Sequence, residues 1–360
     1  MKLVFLIDST RKIGGGSYSQ FVFAKHMALR GHQVTIFAGD KNFYSDELEI
    51  DNLVVYYRKS IPEFRKGLGI GLINNIWRYI YRQIVILPFL RKEQPDWLIG
   101  YLHRSAIDAS HLGKLLQIKV ANFVYETPDW REGQMGTKFN KSEKKYFERH
   151  KTAYQNSTVL VPNSKLSALY MKKWIPEARI TSPVYPGINS IKIEDKTRDY
   201  DIVFIGRLHK LKNVDQLLAA CSTEHSIVII GDGAEMSNLK SLAAKLGLRV
   251  DFLGSVKDDV KWEYLNRSKL LVCPTSFEGF GMPPLEALAC GCKVLCSDIP
   301  ILKEVYGSDV EYFELNNIID LSNKINRLVN SNQVVKSNLP KVYTWENAAI
   351  SIENLLLSAE

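Results

Sequence analysis

Short apolar runs recur along this chain and alternate with stretches of helical period. In the first half they are LVFLI, QVTIFA, NLVVYY, DWLIGY, KVANFVY and TVLVP. In the second half they are DIVFIG, SIVIIG, RVDFLG, KLLVCP and KVLCS. These runs are rich in β-branched and aromatic residues and are continuously apolar rather than alternating. That pattern suits strands buried on both faces, as in parallel sheets covered by helices. Helical patterns lie between them, for example Ser17–Arg30, Ala234–Leu246 and Leu285–Cys290. The repeated strand–helix order predicts doubly wound α/β domains. In open sheets of this kind ligands bind beyond the carboxyl ends of the strands, at helix amino termini.

The pattern changes at VYPGINSIKIEDKTRDYD. Pro186 and Gly187 break regular structure, and Ile188–Asp199 is polar with no helical period. This divides the chain into a first domain at 1–185, a linker at 186–198 and a second domain at 199–343. The closing stretch TWENAAISIENLLL opens on Thr344 as an N-cap and carries apolar residues at helical spacing, so 344–360 is an amphipathic helix. MKLVFLIDST is too short and too quickly polar for a signal peptide and reads as a buried strand. The stretch from Leu68 to Leu90 contains Asn74, Asn75, Arg78, Arg82 and Pro88, which argues against a membrane span. It also interleaves Trp77, Tyr79 and Tyr81 with Arg78 and Arg82. Two readings stand for it: a core helix with solvated arginines, or an interfacial helix at an anionic membrane.

Length and composition agree with two soluble globular domains: 360 residues, 46% hydrophobic and 24% charged. The net charge of +8 is uneven. Residues 1–180 hold 28 Lys+Arg against 16 Asp+Glu, and the remainder holds 19 against 23. A basic first half fits an anionic acceptor, an anionic membrane surface, or simply a lysine-rich soluble face. The five cysteines, Cys221, Cys273, Cys290, Cys292 and Cys296, match no zinc spacing. They read as reduced, buried thiols of a cytosolic protein.

The densest chemistry lies in CPTSFEGFGMPPLEALACG, residues 273–291. A strand ends at Cys273, a loop carries Glu278, Gly279, Phe280 and Gly281, and Met282, Pro283 and Pro284 open a helix. The glycines allow close backbone approach to a ligand, and prolines suit a first helical turn. Seven residues separate Glu278 from Glu286, so one lies in the loop and one in the helix, and the two reach different parts of one ligand. Carboxylates accept hydrogen bonds from vicinal hydroxyls. Arg207 follows the strand DIVFIG, with Lys212 five residues on and Lys210 between them. Two fixed cations can neutralise a diphosphate. Gly14, Gly15 and Gly16 precede a helix and resemble an anion-binding turn, though without G-x-G-x-x-G spacing. Gly231, Asp232 and Gly233 follow SIVIIG, where Asp232 is also read as a cap for the next helix.

The E-x7-E segment resembles the signature of family 4 glycosyltransferases. So do DIVFIGRLHKLKN at 201–213, GDGAEMSNLKSLAAKLGLRVDFLGSV, KVLCSDIPILKEV and VYPGIN, in the same order. The resemblance covers nearly the whole chain. It implies the GT-B fold, an α/β arrangement of two Rossmann-like doubly wound domains facing a central cleft, with the terminal helix packing back on the first. It also implies retention of anomeric configuration, with no cofactor and no metal.

In the roles that the resemblance assigns, Glu278 holds donor-sugar hydroxyls and Glu286 the ribose diol. Arg207 and Lys212 carry the diphosphate in place of a metal ion. Gly15 and Gly16 face it from the first domain. Gly231 and Asp232 help shape the nucleotide pocket, Val256 lies against the base, and the backbone N–H groups of Gly279, Phe280, Gly281 and Met282 point at phosphate or sugar oxygens. Many members carry a histidine where this chain reads VYETPDW. Glu126 is therefore the candidate beside the reacting carbon, with His103 second. The expected partners are a UDP- or GDP-sugar donor and a glycan, polysaccharide or lipid-linked acceptor. Peripheral contact with an anionic membrane is a further expectation, and no nucleic acid is expected. The location implied is cytoplasmic. The alternatives are a non-catalytic nucleotide-sugar-binding subunit and another GT-B enzyme such as a nucleotide-sugar epimerase.

Overall fold

The computed structural model describes residues 1–7, 15–38, 50–57, 76–77, 79–101, 103–125, 127–128, 132, 138–188, 197–332, 335 and 337–359. Two compact units divide the chain. The first comprises Met1–Trp130, Lys138–Val184 and Trp345–Glu360, and the second Arg131–Thr137 and Tyr185–Thr344.

The first unit holds a six-stranded parallel sheet of β1 (Lys2–Ile7), β2 (Gln33–Ala38), β3 (Leu53–Tyr57), β4 (Trp97–Tyr101), β5 (Lys119–Val124) and β6 (Val159–Pro162). The order is β3-β2-β1-β4-β5-β6. The central strands are buried throughout, as for Trp97–Tyr101 in β4, because helices cover both faces. The edge strand β3 instead alternates buried and exposed positions. The helices are α1 (Gly15–Leu29), α2 (Leu87–Glu93), α3 (His103–Leu116), α4 (Lys141–Gln155) and α5 (Lys165–Trp174). A capping box starts α4: the Asn140 side chain accepts from the Glu143 N–H, and the Glu143 carboxylate accepts from the Asn140 N–H.

The stretch 68–90 divides between its two readings. Residues 68–75 and Arg78 lie outside the described residues. A π-helical turn, Arg82–Ile86, leads into α2, and Ile86, Leu87 and Leu90 pack in the core with Val4, Leu6 and Leu98. Arg82 is paired with Asp108 at 3.1 Å rather than solvated. Upstream, Ile76, Tyr79 and Ile84 are exposed. Among the described residues no helix is long and apolar enough to cross a membrane.

The second unit repeats the plan with β7 (Tyr200–Ile205), β8 (Ser226–Ile230), β9 (Arg249–Gly254), β10 (Ser268–Cys273), β11 (Lys293–Ser297) and β12 (Glu311–Phe313). All neighbours are parallel, in the order β12-β11-β10-β7-β8-β9. Eleven of these twelve strands across both units coincide with the apolar runs. The exception is β12, a three-residue edge strand with only Phe313 buried, too short to carry a pattern. The helices are α6 (Val214–Ala220), α7 (Met236–Lys245), α8 (Asp258–Asn266), α9 (Met282–Ala289), α10 (Pro300–Tyr306) and α11 (Ile318–Val329). Leu217 and Leu218 of α6 and Leu321, Ile325 and Leu328 of α11 pack on Ile202, Phe204, Leu270 and Val272. Of the predicted linker, 189–196 lie outside the described residues, and the Ile188 N–H donates to the Tyr343 carbonyl at 2.9 Å.

The last helix, α12 (Trp345–Ser358), belongs to the first unit. Trp345, Ala348, Ala349, Ile352 and Leu356 are buried, and the Trp345 ring meets Phe23 edge-on at 5.2 Å. Glu353, four residues after Ala349, adds a polar anchor at the edge of that face. It accepts from Arg30 Nε at 3.0 Å and lies 2.7 Å from His32 Nε2. The hydrogen bond from Arg30, aided by His32, holds the Glu353 carboxyl below its ordinary range against a smaller opposing effect of burial. A depressed carboxyl contributes stability above its unfolded pKa, and that stability is lost as pH falls through the folded value. The stability advantage of the wild type over Glu353→Gln should therefore hold near neutrality and shrink as pH drops below about 4.3. Urea unfolding at a series of pH values measures it, and a pH-independent difference would refute it.

Candidate functional site

In both sheets the strand order reverses between two central strands, and open α/β sheets bind ligands at the carboxyl ends of that pair. In the second unit the pair is β7 and β10. Gly206 and Arg207 leave β7, and the Pro274–Gly281 loop leaves β10. The predicted cations and carboxylates therefore stand at the place the topology selects.

Backbone close approach builds the floor of this end. The Gly206 N–H donates to the Ile230 carbonyl at 3.0 Å, the Leu208 N–H to Asp232 at 2.9 Å and the Gly231 N–H to Gly254 at 2.8 Å. Gly231 has φ +137°, and a Cβ there would lie 1.8 Å from the Gly206 carbonyl oxygen. Asp232 is exposed and accepts from the Gly233 N–H at 2.7 Å, turning the loop. It does not cap α7, whose N-cap is Glu235 with no side-chain bond. Val256 is half-buried beyond β9.

The loop after β10 is held from below. Asn213 Nδ2 donates to the Pro274 carbonyl at 2.8 Å, the Thr275 hydroxyl to Leu211 at 3.1 Å, and the Ser276 N–H to Leu211 at 2.9 Å. Ser297 donates to the Thr275 carbonyl, and Tyr306 to that of Gly281. Asn213 itself sits at φ +48°. These anchors tie the loop to the turn carrying Lys212. The Phe280 side chain is buried with Tyr185, Tyr306 and Tyr343, 5.6 Å from the last. What Phe280 leaves near the strand ends is its backbone. Gly281 is the N-cap of α9 at φ +88°. Met282 is the first helical residue, and Pro283 and Pro284 follow. Because prolines carry no N–H, the helix start offers the N–H groups of Gly281 and Met282 and not a full set.

Lys212 and Glu278 form an ion pair between the two loops, their side chains 24% and 14% exposed. Burial opposes the Lys212 charge, but Glu278, with a smaller contribution from Cys273, outweighs it and raises the ammonium pKa. Arg207, exposed on the preceding turn, lies close enough to oppose the Lys212 charge in part. The result is a cluster of two cations and one carboxylate at the ends of β7 and β10, in which Lys212 is held by Glu278.

Glu286 is buried inside α9, where its Oε1 accepts from Lys261 Nζ of α8 at 2.6 Å. Sequence reasoning missed Lys261. It precedes Glu286 by 25 residues on another helix, and no local spacing connects them. Asn213 and Ser297 were missed for the same reason. Cys273 and Cys296 are register partners on β10 and β11 beneath the loop. Burial pushes the Cys290 and Cys292 thiols up to about 12, which makes them poor nucleophiles at neutral pH.

In the first unit, Gly15 and Gly16 are the first two residues of α1, which starts earlier than Ser17. His103 is the first residue of α3, following β4. Its side chain, and Glu126 altogether, fall outside the described residues. Tyr125 directly follows β5, and its hydroxyl bonds that of Tyr101, whose ring it meets edge-on at 4.8 Å. Burial holds the Tyr101 phenol well above its ordinary range, opposed by a hydrogen bond with Ser19 of α1.

Residues 188–343 match the family described as glycosyl transferases group 1. Over 328 residues the chain is 27% identical to the uncharacterized glycosyltransferase MJ1178 of Methanocaldococcus jannaschii, covering 86% of each. It is 29% identical over 168 residues to N-acetylgalactosamine-N,N'-diacetylbacillosaminyl-diphospho-undecaprenol 4-alpha-N-acetylgalactosaminyltransferase of Campylobacter jejuni, a match that takes in 43% of this chain and 46% of that enzyme. Two solved structures share the fold from end to end. Sucrose-phosphate synthase of Thermosynechococcus elongatus superposes with a TM-score of 0.80 at 16% identity, covering 100% of both chains. HepE of Anabaena, in complex with UDP and glucose, gives 0.74 at 17% identity, covering 99% of this chain and 100% of its own. The architecture is GT-B, and the family match together with this fold supports a glycosyltransferase.

Proposed function

We propose that the chain is a metal-independent, retaining glycosyltransferase that moves a sugar from a UDP- or GDP-sugar to a glycan, polysaccharide or lipid-linked acceptor. The observation that carries this reading is the ion pair of Lys212 with Glu278, beside Arg207, at the carboxyl ends of β7 and β10. Arg207 and Lys212 neutralise the diphosphate and stabilise the charge that grows on it as the sugar departs. Glu278 accepts hydrogen bonds from the sugar hydroxyls and Glu286 from the ribose diol. In front-face transfer the bond from the anomeric carbon to the diphosphate oxygen breaks, and the acceptor oxygen bonds that carbon on the same face. The acceptor proton passes to the departing diphosphate oxygen. The C. jejuni relative, whose name specifies a diphospho-undecaprenol acceptor, supports a lipid-linked acceptor here. The exposed Ile76, Tyr79 and Ile84, on a unit rich in Lys and Arg, support peripheral contact with an anionic membrane.

The test is nucleotide release from a panel of UDP- and GDP-sugars, run in EDTA, with acceptor lipid in anionic liposomes. Turnover in EDTA with one donor, and sedimentation of the protein with the liposomes at low salt, are expected. Release that appears only with added magnesium would refute metal independence, and failure to sediment would refute the membrane contact. The second reading, a binding subunit without activity, rests only on VYETPDW standing where many similar enzymes carry a histidine, and the similarity to glycosyltransferases does not favour it. On that reading the protein would bind a nucleotide sugar and release no nucleotide with any donor.

A further inference from the structure

Glu286 is an unusual place for a carboxylate. Only 8% of the residue is exposed, and it lies one helical turn behind the Gly281–Met282 start of α9. Burial penalises its charge. A diphosphate held by Arg207 and Lys212 would repel it as well. Lys261 offsets both effects. Its ammonium donates to Glu286 Oε1 at 2.6 Å, lies 3.3 Å from Asp258 and stands 4.5 Å from the centre of the Trp262 ring. Three contacts from its own helix and from α9 fix the ammonium, so the carboxylate it holds is fixed too. Each carboxylate oxygen has two lone pairs, so one bond from Lys261 leaves both oxygens free to accept a hydroxyl. The lysine therefore restrains rotation of the Glu286 carboxylate without filling it.

We infer that Lys261 is a positioning residue for the donor: it keeps the Glu286 carboxylate turned to accept the ribose hydroxyls, and so sets discrimination between ribonucleotides and 2′-deoxyribonucleotides. This rests on the role proposed for Glu286. A lysine with a purely structural part would lower stability and leave that discrimination unchanged.

The experiment is calorimetric titration of the full chain with UDP and GDP, carrying forward the tighter binder and its 2′-deoxy counterpart. The wild type should favour the ribonucleotide by about 10-fold or more, the scale of a hydrogen bond to a charged group. Lys261→Met should reduce the ratio to about 2-fold, chiefly by weakening the ribonucleotide, and Lys261→Arg should restore most of it. Lys261→Met leaves a buried carboxylate without its cation and is at risk of poor folding. The double variant Lys261→Met/Glu286→Gln replaces the pair by neutral groups of similar size and should discriminate no better than Glu286→Gln alone. A Lys261→Met protein that keeps the wild-type ratio, while Glu286→Gln loses it, would overturn the inference and leave the role of Glu286 standing. Should the wild type bind neither nucleotide, or show the same ratio as Glu286→Gln, the reading of Glu286 fails and the inference falls with it.

Discussion

Lys212→Met is expected to lower sugar transfer by about 10²- to 10³-fold in kcat/KM, the scale seen when one preorganised group is removed from a developing negative charge. The ammonium is well placed for that role. Partial burial raises the strength of its field, and the anchored loop bearing Glu278 holds it in position. A methionine keeps the volume and removes the charge. Because Glu278 then loses its cation, part of any loss could come from a displaced carboxylate. Comparing Lys212→Met/Glu278→Gln with Glu278→Gln alone isolates the charge effect of Lys212, and an unchanged thermal unfolding midpoint shows that the fold is intact. Transfer within about 3-fold of wild type by Lys212→Met, far short of the scale for such a group, would remove Lys212 from the mechanism.

The second large effect concerns the frame of the site. Gly231→Ala should destabilise the second unit by about 3 kcal/mol, since φ near +137° is open almost only to glycine and the backbone must shift. The methyl group would be placed 1.8 Å from the Gly206 carbonyl oxygen, on the residue that precedes Arg207. Gly254→Ala is the control. It has φ +67° but no atom within 4 Å of a built Cβ, so it should cost only about 1 kcal/mol. At about 2–4 °C per kcal/mol for a unit of this size, the first variant should melt about 6–12 °C below wild type. Equal midpoints for the two variants would show that the close approach of the turns after β7 and β8 carries no such cost.

These two predictions draw on different depths of the sequence. Parallel strands covered on both faces need continuous apolar runs, so the runs from LVFLI to KVLCS marked eleven strands and the α/β class directly. The runs could not state strand order, which depends on pairings across the sheet. They also missed β12, where an edge strand of three residues needs only Phe313 to be apolar. At the site, Glu278, Glu286, Arg207 and Lys212 stood out because glycines and prolines around them mark a strand-to-helix turn. Their partners did not. That Lys212 belongs with Glu278, and Glu286 with Lys261, depends on contacts 66 and 25 residues apart. The same holds for the side chain of Phe280. Its place in the pocket comes from the resemblance alone, and no local pattern shows that its ring is buried and fastens the loop to Tyr185 and Tyr343.

The claim on which the rest depends is that fixed side chains of the second unit, and not a divalent ion, hold the diphosphate of the donor. Calorimetric titration in EDTA with UDP or GDP, and with the matching nucleoside, tests it in the wild type and in Arg207→Met/Lys212→Met. The account predicts diphosphate binding without metal, a loss of about 100-fold or more in the double variant, and nucleoside affinity that does not change. Equal diphosphate affinity in the two proteins, or binding by the wild type that appears only when magnesium is added, would contradict it.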